Sequence, residues 1–151
     1  MQRFIKINIF TLFLSCGACS STPIQPPNLI PSIAHIDTIA AKVAGHGKAS
    51  IKILAQGENA FFGLLKLDPG ASVPEHRDST EEYIYILSGS GTIYINDKPY
   101  ATNPGSAVYM PAHAKVRYAN GQDELVALQV FAGPAPAAKY DPWQIKEKPL
   151  E

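Results

Sequence analysis

His76, Asp78 and Glu82 are the residues of this chain whose types and spacing suit chemistry. They stand in the stretch GASVPEHRDSTEEYIYILSGSG, from Gly70 to Gly91. His76 and Asp78 are two apart, so on extended backbone their side chains share a face. Glu82 lies four residues beyond Asp78 and opens the alternating run EYIYIL. One imidazole and two carboxylates turned to one side form a nitrogen- and oxygen-rich corner of the kind that holds a divalent ion. The same groups have a metal-free reading, in which they hydrogen-bond to one another or to a polar ligand. Charge weighs against it, because two acids close together in a partly dry site repel unless a cation or a proton neutralises one of them.

The elements that must position these groups are strands. Pro69–Gly70 reads as a tight bend after an apolar run, and Gly89-Ser90-Gly91 turns the chain into the return strand GTIYIN. Alternation marks Ser50–Leu54, Ala60–Leu67, Glu82–Leu87, Thr92–Asn96, Ala107–Pro111, Lys115–Ala119 and Glu124–Phe131, with turn-forming clusters between them. Many short strands at this spacing predict an all-β double-sheet barrel or sandwich. Ser32–Val43 places Ile33, Ile36, Ile39, Ala40 and Val43 near one helical face, with Ser32 as N-cap, which predicts a short helix outside the barrel. The tail GPAPAAKYDPWQIKEKPLE is proline-rich, and Tyr140 and Trp143 are its candidates for packing back on the barrel or on a partner chain.

Composition narrows the function classes. The chain of 151 residues suits one domain, and its 13 Lys and Arg balance its 13 Asp and Glu. With no basic run and no aromatic-plus-basic stripe, nucleic-acid binding has no support. Cys16 and Cys19 both lie near the N-terminus, so the domain beyond them has no disulfide and no thiolate metal site.

Residues 1–18 have the grammar of a signal peptide: a basic start at Arg3 and Lys6, an apolar stretch from Ile7 to Leu14, then small residues. The ending Gly17-Ala18-Cys19-Ser20 resembles a bacterial lipoprotein signal, with Cys19 as the lipidated residue and Cys16 as the alternative acceptor. This implies a protein secreted across the inner membrane and lipid-anchored in the envelope, with residues 19–31 as a proline-rich tether.

Gly70, His76, Glu82 and Gly89 sit at the offsets of the first conserved motif of the cupin family, which this stretch resembles; Asp78 stands where that motif has a second histidine. Gly105, Pro111 and Asn120 keep the register of the second motif, but His113 replaces a glycine and Val116 replaces a histidine. The likeness covers Gly70–Asn120 and extends through flanking strands to about residues 49–134. It implies a jelly-roll barrel there, with 32–48 leading into it and 135–151 as a tail. It further implies a divalent ion (manganese, iron, nickel or zinc) held by His76, Asp78 and Glu82, or a barrel that has lost its ion, since Val116 offers no lone pair. His113, three residues from that position, is not expected to reach the metal.

Side-chain parity adds pocket walls. Val116, Tyr118 and Asn120 share one face, Glu82, Ile84 and Ile86 another, and Gln129 is a similar inward candidate. Arg77 should point outward, and His35 and His46 should sit on the surface. Two functions follow: an envelope-anchored module binding a small polar ligand beside a degenerate metal site, or a metal-dependent enzyme of oxygenase, isomerase or lyase type. Outward tyrosines at Tyr83 and Tyr85 suit a homodimer.

Overall fold

The structure, a computed structural model, describes residues 31–133 and 137–146. The signal-peptide reading, Cys16 and Cys19, and nearly all of the tether fall on residues 1–30, outside the described residues.

Among the described residues eleven strands form two antiparallel sheets. In chain order they are β1 (Ala41–Val43), β2 (Ala49–Gln56), β3 (Ala60–Leu67), β4 (Ser72–His76), β5 (Glu82–Ser88), β6 (Gly91–Ile95), β7 (Lys98–Thr102), β8 (Ala107–Met110), β9 (Val116–Asn120), β10 (Leu125–Ala132) and β11 (Gln144–Lys146). The larger sheet runs β11-β1-β2-β3-β10-β5-β8 and the smaller β4-β9-β6-β7. Among the described residues no ladder joins the two, so the barrel is open rather than closed. Their inner faces share one core: Ile51, Phe61, Leu67, Ile86 and Phe131 from the larger sheet meet Ile93, Val116 and Tyr118 from the smaller.

Period-two patterning explains which faces are covered. In β10 Leu125, Ala127, Gln129 and Phe131 are buried while the residues between them are half-buried. Tight turns fix the register. Asn96 and Asp97, at φ 51° and 68°, make the two-residue connection between β6 and β7, where Ile95 pairs with Lys98. Gly89 adopts φ +79°, and a Cβ there would lie 2.5 Å from the Glu124 carbonyl oxygen, so both conformation and space demand glycine.

The helix expected over Ser32–Val43 does not form. Ile36–Thr38 makes a single 3-10 turn, and Ala41–Val43 becomes β1, paired with β2 and β11. Ile33 is fully exposed at 102% and Ile36 is exposed at 38%, so among the described residues the start of the apolar face is left uncovered. Locally, His35 Nδ1 accepts from the Asp37 amide and the Thr38 hydroxyl donates to the His35 carbonyl, which favours a turn over a helix. The proline-rich tail also joins the sheet: a 3-10 turn at Ala138–Tyr140 buries Tyr140, and β11 then extends the larger sheet through β1. Among the described residues, no helix is long and apolar enough to cross a membrane.

Candidate metal and ligand site

The strand ends bring His76, Asp78 and Glu82 together. His76 closes β4, Glu82 opens β5, and Asp78 lies in the loop between them. One ligating atom from each lies within 4.8 Å of the others. The loop is held from behind: the His113 amide donates to the Asp78 carbonyl at 2.7 Å, and the Arg77 guanidinium donates to the His113 carbonyl. His113 itself is exposed, sits at φ 63°, and contributes its backbone rather than its ring.

The protons of His76 are constrained. Its Nδ1 lies 2.9 Å from the Pro74 carbonyl oxygen, which only accepts, so Nδ1 carries the proton. Its Nε2 stands 3.3 Å from Asp78 Oδ2. In neutral histidine that places a lone pair against a carboxylate oxygen, two acceptors facing each other. A second proton on the ring relieves the conflict, and so does a cation between the two atoms. A histidine anchored through Nδ1 to a carbonyl, with Nε2 turned to the site, is also the usual posture of a metal ligand.

The electrostatics agree. The hydrogen bond to Asp78 raises the His76 pKa above its ordinary value, against the opposing pull of burial. For Asp78 burial is the largest single influence and pushes upward, but His76 and Lys139 together outweigh it and hold the carboxyl below its usual range. Glu82, only 5% exposed, is pushed up to about 7 by burial, with Lys139 opposing. Behind it runs a short relay: the Tyr140 hydroxyl donates to Gln129 Oε1 at 2.7 Å, and Gln129 Nε2 donates to Glu82 Oε1. This works because Gln129 pairs with Ile84 across the β5–β10 ladder, one diagonal step from Glu82 on the same face.

These groups stand at one end of a cavity of about 360 Å³ between the sheets. Ile84, Ile86, Ile93, Val108 and Met110 give it apolar walls. Val116 and Tyr118 line it as parity expects, and so does Gln129. Val116 pairs directly with His76 across the β4–β9 ladder, so an apolar wall stands beside the imidazole. The Thr102 hydroxyl lies within bonding distance of both the Gly91 carbonyl oxygen (3.2 Å) and the Tyr118 hydroxyl (3.0 Å). With the Thr102 proton on that carbonyl, the Tyr118 hydroxyl donates to Thr102. Asn120 is buried but lies elsewhere: its Nδ2 reaches the carbonyls of Leu67, Asp68 and Asp123 and ties the end of β3 to the β9–β10 loop. Arg77 lines the cavity rather than pointing away, because β4 ends at His76 and the alternation stops there. His46 is exposed yet belongs to the lining; His35 is exposed on the 3-10 turn. Tyr83 and Tyr85 are exposed at 43% and 46%, on the outer side of β5.

Sequence reasoning missed Lys139. Its ammonium lies 2.9 Å from Asp78 Oδ2 and 3.8 Å above the Phe131 ring centroid. The signal was the pair Tyr140 and Trp143, since packing those aromatics back on the barrel necessarily brings their neighbour along.

The cupin domain family matches residues 63–131. An RmlC-like cupin crystal structure from Shewanella frigidimarina superposes with a TM-score of 0.65 at 12% identity, covering 70% of this chain and 94% of that one. The fold is that of a cupin. Auxin-binding protein 1 from Arabidopsis thaliana is 32% identical over 131 residues, covering 68% of this chain and 65% of that protein. Dimethylsulfoniopropionate lyase DddW from Ruegeria pomeroyi is 26% identical over 107 residues, covering 64% and 70% respectively. Proteins with an enzyme name and with a binding-protein name therefore both stand among those this chain resembles.

Proposed function

We propose that this cupin domain binds a small molecule with an apolar body and a polar head, the head meeting a divalent ion held by His76, Asp78 and Glu82. The observation that carries the reading is the confrontation of His76 Nε2 with Asp78 Oδ2. The donor set fits the group: one imidazole and two carboxylates suit manganese, iron or zinc, and three protein ligands leave positions for a ligand or water. Bound there, the ion would act as a Lewis acid towards the head group.

The chain's own residues supply the remainder. Pro74 fixes the His76 tautomer through Nδ1. Gln129 and Tyr140 fix the Glu82 carboxyl, and burial holds it near neutrality, where a carboxyl can take or return a proton at little cost. The apolar walls exclude water from the ligand's body. Glu82 is also the observation that favours the enzymatic reading, because an elimination that begins by removing a proton needs a base. A binding module needs none.

The test is elemental analysis of protein prepared without a histidine tag, alongside His76→Ala and Glu82→Ala. About one equivalent of a transition ion in the wild type, lost in both variants, supports the reading. Protein that takes up no ion after exposure to manganese, iron, nickel and zinc overturns the metal part of it. The domain's address is a separate proposal: Cys19 carries a lipid that holds it in the bacterial envelope, and Cys19→Ala should release it from membranes into the soluble fraction.

A further inference from the structure

Lys139 is held in place by the chain that follows it. Its neighbour Tyr140 is 4% exposed, packs edge-on against Phe61 at 5.5 Å and Trp143 at 5.0 Å, and donates to Gln129. The Tyr140 carbonyl accepts from Lys42 Nζ at 3.2 Å, and the chain then pairs into the sheet as β11. So anchored, the ammonium sits over the Phe131 ring at the cavity wall, its side chain 30% exposed. An ammonium has three donors. Among the described residues Lys139 uses one, on Asp78 Oδ2.

The charges of the lining sharpen the point. Arg77 and Lys139 are basic residues of the lining, and Asp78 and Glu82 are the acids that face them. A divalent ion on those carboxylates would leave the lining with an excess of two positive charges, in a cavity whose other walls are largely apolar. Such a site attracts an anion and rejects a neutral ligand of the same shape, because the cation is then left without a partner. Each cation already makes one hydrogen bond, Arg77 to the His113 carbonyl and Lys139 to Asp78 Oδ2, but Lys139 is the one braced over the Phe131 ring, with donors left for a ligand. A planar carboxylate places one oxygen on an ammonium and keeps the other for a second cation. Its hydrocarbon part would lie along Ile84, Ile86, Ile93, Val108 and Met110.

We propose that Lys139 is the anion-recognition residue of this cavity, binding the carboxylate of a small organic acid whose apolar body fills the space between the sheets. The inference rests on the reading of the cavity as a ligand site, and it names the ligand's class. The tail is then part of the binding site, since it supplies the residue that selects the ligand's head group.

Calorimetric titration of the full chain, with and without added zinc, tests it using 4-methylpentanoate and its neutral isostere 4-methylpentanamide as probes. On wild-type protein with zinc the carboxylate should bind about tenfold tighter than the amide or better, a difference of about 1.4 kcal/mol. Lys139→Gln should erase that preference by weakening the carboxylate while leaving the amide within about twofold, and Lys139→Arg should keep most of it. Zinc stoichiometry should be the same in all three proteins. A carboxylate preference that survives Lys139→Gln, or wild-type protein that binds acid and amide alike, overturns the assignment of Lys139 and leaves the cavity reading standing. Binding of neither probe to wild-type protein, with or without zinc, overturns both.

Discussion

Glu82 makes stability depend on pH in a direction opposite to that of most carboxylates, and Glu82→Gln isolates the effect. Its pKa rises from 4.5 to about 7 on burial, so between those values the folded state holds a proton that the unfolded state has released. Stability falls with rising pH wherever the native state binds more protons. The contribution is therefore complete below about pH 4.5 and lost by about pH 8. At about 1.4 kcal/mol per unit, the shift corresponds to about 3 kcal/mol lost over that interval in metal-free protein. Glutamine keeps the shape and an acceptor for Gln129 Nε2 but does not titrate, so Glu82→Gln should lack that part of the slope. The assay is urea unfolding at pH 5 and pH 8 with a chelator present, where 3 kcal/mol moves the midpoint by roughly 1–3 M. Saturating manganese at pH 8 should restore the wild type and not the variant, because a bound ion favours the ionised carboxylate. Parallel losses in wild type and variant between the two pH values would refute the reasoning.

Three further outcomes follow from other parts of the fold. Val116→His restores a nitrogen directly opposite His76, on a wall that already faces the cavity, and should tighten manganese binding by about tenfold or more in calorimetric titration. Asn120→Ala removes a buried amide that serves three backbone carbonyls and should cost about 2–4 kcal/mol in urea unfolding, with metal stoichiometry unchanged. Gly89→Ala meets both a left-handed backbone and the Glu124 carbonyl, and should lower stability by about 2 kcal/mol or more, read as a fall in melting temperature.

The legible parts of the fold were those where burial imposes a period. Strands β5 and β10 carry clean alternation because one face of each meets the core. Strand β4, SVPEH, has a proline and one apolar side chain, and no residue in it is buried; its place is fixed by pairing with β9. Likewise β11 is a three-residue edge strand laid on β1, itself only three residues long and paired on its other side with β2, and no local pattern reports such pairings. At the site, spacing found His76, Asp78 and Glu82, and parity found Gln129. Parity also buried Asn120, but its place at the end of β9 turns the amide to the loops instead of the cavity. Lys139 was beyond sequence reasoning for a physical reason: 61 residues separate it from Asp78, and only the packing of Tyr140 brings them together.

The central claim is that a cation resolves the meeting of His76 Nε2 and Asp78 Oδ2. Anomalous diffraction at the manganese edge, from crystals grown with manganese, tests it most directly. The account predicts one strong peak within coordination distance of His76 Nε2 and of a carboxylate oxygen from each of Asp78 and Glu82. A cavity without such a peak, with His76 closed onto Asp78 in a direct hydrogen bond, would contradict it.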